Sequence, residues 1–169
     1  MNKKRKINSF LVFTLENELY AIHVKKVLTI VEMHDITRVP KSENYLKGVI
    51  NLRGEIIPVI DSHIKFKLPP ASITMKTSIL ILELIWSDFE KIKIGLMIDK
   101  VEEVIRITKK EILPPPKIEN SQQSDYITGM FEKSNEKFIM ILDIEKALSL
   151  NSISTYKRKK EVKIFTEVA

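Results

Sequence analysis

The 169-residue chain contains no cysteine. That excludes disulfides, thiolate nucleophiles and cysteine-ligated metals, and leaves an apolar core as the means of holding a fold together. Only four glycines occur, Gly48, Gly54, Gly95 and Gly129, too scattered to build either common phosphate-cradling loop. The three histidines, His23, His34 and His63, lie in separate segments without the paired spacing of a metal site. The carboxylates of "GEIIPVID" and "MIDKVEE" show no spacing that singles out an acid and a base. No catalytic constellation and no cofactor are therefore expected. Long apolar runs are missing too, since uninterrupted aliphatic stretches such as Ile79 to Leu82 fall far short of the ~20 residues of a membrane helix. The opening "MNKKRKINSFLVFTLENE" imitates a secretory signal, but its apolar part, Phe10 to Leu15, is too short and no small-residue cleavage site follows. The chain reads as cytoplasmic, with no direct membrane insertion.

What is present is a globular balance, 44% hydrophobic and 30% charged. The formal net charge of +6 resides at the two ends. Lys3 to Lys6 are four consecutive basic residues, and the tail from Lys157 onward holds five basic residues against Glu161 and Glu167, so the stretch from Ile7 to Tyr156 is close to neutral. Such ends are expected to be solvated extensions rather than nucleic-acid contacts. A nucleic-acid-binding small-barrel protein is the alternative reading. It would require basic residues interleaved with exposed aromatics, and the nearest stretches, "KFKL" (65–68) and "TYKRKK" (155–160), lack that interleaving.

Most of the chain reads as strands: "FLVFTL" (10–15), "ELYAIHV" (18–24), "VLTIVEM" (27–33), "GVINL" (48–52), "EIIPVID" (55–61), "TSILILELIW" (77–86), "KIKIGLMI" (91–98), "VEEVIRI" (101–107), "YITGMF" (126–131) and "KFIMILDI" (137–144). Helix signals are confined to "IEKALSL" after Asp143, a turn near Thr108 to Ile112 opened by a threonine cap, and the tail. Pro58 suits an edge strand or a bend.

The strands repeat. "YLKG" ending at Gly48 answers "YITG" ending at Gly129, and each leads through two apolar runs to an aspartate, Asp61 or Asp143. Upstream, "YAIHVKKV" (20–27) matches "IGLMIDKV" (94–101) at an offset of 74, while the later segments match at 81 because "PPKIENSQQSD" lengthens one loop. The opening "FLVFTL" finds a looser counterpart in "SILILEL". Two copies of a five-strand unit of about 70 residues are each too small to bury much surface, so they should pack together. The expected fold is mainly β, with two pseudo-symmetric five-stranded β-barrels on a shared hydrophobic core and a short C-terminal helix; curling each sheet removes free edges.

Taken in order, "FLVFTL", "YLKGVINLRGEIIPVID", "GLMIDKVEEVIRI", "ILPPP", "YITGMFEK" and "FIMILDIEKAL" resemble CheW, the coupling-protein family of bacterial chemotaxis, from about Phe10 to Leu150. The resemblance implies a single domain over 7–154, with barrels at about 16–76 and 77–150 and the 10–15 strand joining the second. Residues 1–6 and 155–169 are then basic extensions. It also implies a non-enzymatic adaptor that binds the regulatory domain of the histidine kinase CheA and the cytoplasmic tip of methyl-accepting chemotaxis receptors, in arrays at the membrane that control motility. Ring assembly with further CheW copies through the second barrel is a related expectation.

Site residues follow from the same resemblance. Val27, Thr29, Arg53, Ile98 and Val104 are placed toward the receptor, with core packing the stronger reading for Ile98 and Val104. Val49, Asn51, Ile57 and Val59 are placed toward the kinase. Gly48, Gly54 and Gly129 are read as structural turn or close-approach positions. Thr29 departs from the family pattern, where glutamate is common. Arg53, on a two-residue Arg-Gly connection, is read as an interface anchor, against pairing with Glu32 or Glu55.

Overall fold

The computed structural model describes residues 6–85, 90–115, 117, 125–134 and 136–148. The 155–169 tail, the 1–5 stretch and the last residues of "IEKALSL" lie outside them. Apolar runs rich in β-branched residues form ten strands there. These are β1 (Ile7–Leu15), β2 (Glu18–His23), β3 (Val27–Glu32), β4 (Leu46–Leu52), β5 (Glu55–Asp61), β6 (Ser78–Ile85), β7 (Lys91–Ile98), β8 (Lys100–Thr108), β9 (Ile127–Ser134) and β10 (Lys137–Leu142). Two short helices, α1 (Ser62–Lys65) and α2 (Ile144–Leu148), follow β5 and β10. At each, an aspartate precedes the helix and accepts a backbone N–H three residues on, Asp61 from Ile64 at 3.3 Å and Asp143 from Lys146 at 3.2 Å. The sequence reading missed α1, because a single capped turn has no helical period to detect. The capped turn near Thr108 is a 3₁₀ turn, Lys109–Glu111, whose Glu111 carboxylate accepts from both the backbone N–H and the hydroxyl of Thr108.

One sheet runs β8-β1-β2-β10-β9 and the other β3-β6-β7-β5-β4. Interchanging the two repeats converts one order into the other. Each lobe therefore combines the first two strands of one repeat with the last three of its partner. This corrects the expected division at 76/77: β2 joins β1 in the second lobe, and β6 and β7 belong to the first. Short parallel ladders make the joins, Val59–Asp61 against Gly95–Met97 and Leu19–Ala21 against Ile139–Ile141. The physical reason lies in the β1–β2 and β6–β7 hairpins, which are apolar on both faces. Leu11, Phe13 and Leu15 pack with Leu80, Leu82 and Leu84 in the shared core. Phe10 and Val12 line the interior of one lobe, and Ile79 and Ile81 the interior of the other.

Each lobe closes through a segment beyond its edge strand. Thr37 and Val49 exchange backbone hydrogen bonds of 2.9 and 2.8 Å, and Leu113 and Met130 exchange bonds of 2.8 and 3.0 Å. The residue before each closing position on the inner strand is glycine. A Cβ on Gly48 would lie 2.2 Å from the Thr37 carbonyl oxygen, and one on Gly129 would lie 2.4 Å from the Ile112 Cγ2 and 3.1 Å from the Leu113 carbonyl oxygen. Both glycines stand inside strands, β4 and β9, so they permit close approach rather than form turns; only Gly54 is in a turn. Pro58 is not on an edge, since β5 lies between β7 and β4. It pairs with Val49, whose own N–H and C=O are already committed to Thr37, and the ladder to β7 begins only at Val59. The missing proline donor thus leaves no partner of β4 unsatisfied.

Candidate functional site

The β4–β5 hairpin turns over Arg53 and Gly54, with φ of 54° and 82°. Positive φ at both central residues is the requirement of a type I′ turn, the tight connection that matches strand twist. Asn51 Oδ1 accepts from the Gly54 N–H at 2.9 Å and braces the turn from the side. Arg53 is exposed at its tip. The alternative pairing with Glu55 does not form, because that carboxylate binds Lys93 Nζ at 2.7 and 3.0 Å. Among the described residues Arg53 has no carboxylate within ion-pair distance. The outcome is a cation unpaired among the described residues, followed three residues later in β5 by Ile56, 46% exposed.

The candidates around it separate by depth. Thr29 is exposed and Val27 half-buried against the shared core. Asn51 is exposed and Val49, engaged in lobe closure, is half-buried. Three candidates are overturned as contact residues. Ile57 and Val59 lie inside the first lobe at 1% and 0% exposure, and Ile98 lies in the shared core at 0%. Alternation along β5 turns odd-numbered residues inward, which sends Ile56 rather than Ile57 to the surface. Val104 departs from the core reading in the opposite direction: it is 54% exposed, on β8 of the second lobe, away from the strands that carry Thr29 and Arg53.

Sequence reasoning missed Leu28 and Ile30, 47% and 42% exposed on the edge strand β3. The signal was available, because "VLTIVE" is apolar at four of six positions while an edge strand can bury only part of them. A bulge between Val27 and Thr29 further breaks the alternation.

A groove of about 330 Å³ at one end of the second lobe gathers His23, Lys26, Asp143 and Glu145 over Phe10 and Ile141. Its polar groups are already committed. Glu145 pairs with Lys26, Asp143 caps α2, and His23 Nδ1 accepts from the Lys25 N–H at 3.2 Å. Burial, then Lys25, Lys26 and Lys6, push the His23 pKa down, which favours the neutral imidazole. His34 is exposed, and His63 is buried in contact with Asp99. Among the described residues no three His, Cys, Asp or Glu side chains come together to hold a metal, and no helix is long and apolar enough to cross a membrane.

The family model for the CheW-like domain matches residues 9–151. The chain belongs to the CheW-like family. This CheW-like chain is 35% identical over 140 residues to the chemotaxis protein CheW of Klebsiella aerogenes, covering 83% of the chain and 81% of that protein. It is 34% identical over 143 residues to CheW of Bacillus subtilis, covering 84% and 87%. The crystal structure of the scaffolding protein TtCheW from Thermoanaerobacter tengcongensis superposes with a TM-score of 0.74 at 31% identity, covering 87% of this chain and 96% of that one. The chain is thus a non-enzymatic chemotaxis adaptor whose surface, rather than a reactive centre, carries its function. The nucleic-acid alternative finds no support among these relatives.

Proposed function

We propose that this adaptor links the regulatory domain of the histidine kinase CheA to the cytoplasmic tips of methyl-accepting chemotaxis receptors in membrane-associated arrays, joined there by further copies of itself in rings. Receptor contact falls to the Arg53 tip with Val27 and Thr29, to which the exposed Leu28 and Ile30 of β3 add apolar area. Kinase contact falls to the outward face of the β4–β5 hairpin, where Asn51 and Val49 are kept and Ile56 replaces the buried Ile57 and Val59. Family membership supports the partners. The observation that supports the surface is Arg53 itself, a large cation kept in left-handed backbone with no carboxylate partner among the described residues. A residue chosen for the turn alone would be asparagine or glycine.

The test is Arg53→Ala and Arg53→Glu in a reconstituted receptor–kinase assay, beside pull-downs on each partner fragment. Circular dichroism and the urea midpoint are expected to stay close to wild type, while receptor-dependent kinase activation falls roughly 5- to 100-fold, the range of ordinary coupling energies. Full activation by Arg53→Glu would sink the assignment, and so would unfolding of both variants.

A further inference from the structure

The chain passes between the two lobes at two places, the 3₁₀ turn Val24–Lys26 after β2 and the single residue Asp99 between β7 and β8. Beside the shared core, the lobes are therefore joined covalently at two small crossovers. Each is held by a side chain from the helix of the lobe the chain is leaving. At the first, Glu145 of α2 takes Lys26, both groups standing partly in water at 25% and 30% side-chain exposure. At the second, His63 of α1 takes Asp99, and here the ring is only 3% exposed.

Asp99 is gripped from both lobes. Its backbone N–H donates to the Thr14 carbonyl at 3.2 Å, and its Oδ2 accepts from the Glu16 N–H at 2.9 Å, both on the β1–β2 hairpin of the second lobe. From the first lobe, His63 Nε2 lies 2.8 and 3.0 Å from the two carboxylate oxygens. The other ring nitrogen, Nδ1, lies 2.6 Å from the Pro69 carbonyl oxygen. A neutral imidazole has one N–H and one lone pair, so against two oxygen acceptors it satisfies only one contact; with a hydrogen on each nitrogen it satisfies both.

We infer that His63 is a positioning residue of the adaptor: donating from both ring nitrogens, it clasps the Asp99 crossover to the first lobe and so fixes the angle between the lobes. Its consequence for signalling rests on the coupling role proposed above, in which partners on different lobes communicate through that angle. The two clasps differ in the donor: the Asp99 and Glu145 carboxylates are similarly exposed, at 29% and 25%, but the His63 side chain is buried at 4% while that of Lys26 stands at 30%.

Two experiments on the full chain decide this. Proton–nitrogen spectra tuned to the imidazole are expected to show two slowly exchanging ring N–H signals for His63; a single one overturns the clasp. Because the chain has no cysteine, spin labels at Arg38→Cys in the first lobe and Lys137→Cys in the second report the inter-lobe distance without background. His63→Leu, which removes both ring nitrogens, is expected to broaden that distribution and to cut receptor-dependent kinase activation roughly tenfold. Affinity for each isolated partner fragment should change little. His63→Gln, whose amide N–H can still donate to the Asp99 carboxylate, is expected to give a narrower distribution than His63→Leu. An unchanged distribution in folded His63→Leu refutes the clasp, and broadening with intact activation refutes its link to signalling. The distance and ring-proton measurements need neither kinase nor receptor, so they decide the clasp even where the adaptor reading fails, and the ring-proton spectrum decides it alone if His63→Leu does not fold.

Discussion

β3 and β8 occupy equivalent edges of the two lobes, yet they are finished differently. On β8, Lys100 and Glu102 pair with each other, and Glu103 reaches across to Lys133 on β9, the far edge of the same sheet. At the matching positions, 74 residues earlier, β3 carries Leu28 and Thr29 where β8 has Glu102 and Glu103. Charges on an edge discourage pairing with other chains. β8 therefore reads as a protected edge, and β3 as one left open to apolar contact. The contrast extends to the hairpins, because Lys133 stands one residue before the equivalent of Arg53. The second lobe spends its cation on its own carboxylate, whereas in the first Arg53 has no ion-pair partner among the described residues.

The largest effect that tests this near-symmetry is expected at the closing glycines. Gly48 has φ of 149°, and an added Cβ would strike a backbone oxygen, which cannot move without opening the Thr37–Val49 bridge. At Gly129 the nearest obstacle is a side-chain methyl of Ile112, which can shift. Gly48→Ala is expected to cost about 3 kcal/mol or more and Gly129→Ala about 1 to 2 kcal/mol by urea denaturation. Equal costs, or the reverse order, would mean that the two lobes do not close by the same device.

The repeat offsets carried the two-lobed plan, and the Arg-Gly dipeptide carried the hairpin that displays Arg53. The exchange of hairpins between lobes was not legible, because an internal repeat reports which strands are equivalent and is silent on which strands pair. Ile57 and Val59 were placed on a surface although β5 alternates there, because alternation separates two faces without saying which one is covered. Ile98 was listed as a contact beside its stronger core reading because β7, covered on both faces, loses that alternation. Val104 was read toward the core and Ile30 was passed over because equivalent edge positions expose them, at 54% and 42%, a consequence of topology that composition does not encode.

Arg53 offers the next comparison. Asparagine tolerates left-handed backbone better than arginine, so Arg53→Asn is expected to stabilise the chain by about 0.5 kcal/mol in a thermal melt while abolishing the Arg53-dependent part of kinase activation. A variant both more stable and fully active would show that the arginine has no role at the tip. Thr29→Glu makes the first lobe resemble the second, where Glu103 fills this position. If the new carboxylate reaches Arg53, stability rises by no more than about 0.5 kcal/mol, as for exposed ion pairs. Receptor binding should fall, and charge reversal at Arg53 in that background should then matter less than it does in the wild type. Additive losses would place the two residues too far apart to couple.

The smallest effect concerns acid. Hydrogen bonds from Lys100 at 2.9 Å and Thr14 at 2.7 Å hold the Glu102 pKa below the ordinary 4.5, with partial burial opposing them. A carboxylate depressed on folding adds stability that is fully present above the unfolded pKa and is lost as pH falls through the folded one. Leu28, at the matching place on β3, has nothing to titrate. The β1–β8 seam should therefore loosen in acid before the β3–β6 seam does, read as faster hydrogen exchange of β8 amides than of β3 amides as pH falls below about 4.5 after correction for intrinsic rates. Glu102→Gln should remove most of that difference by deleting the titrating group while keeping an acceptor for Thr14. Persistence of the full difference in the variant would assign the acid response to another carboxylate of the second lobe, with Glu103 on the same strand the first to examine.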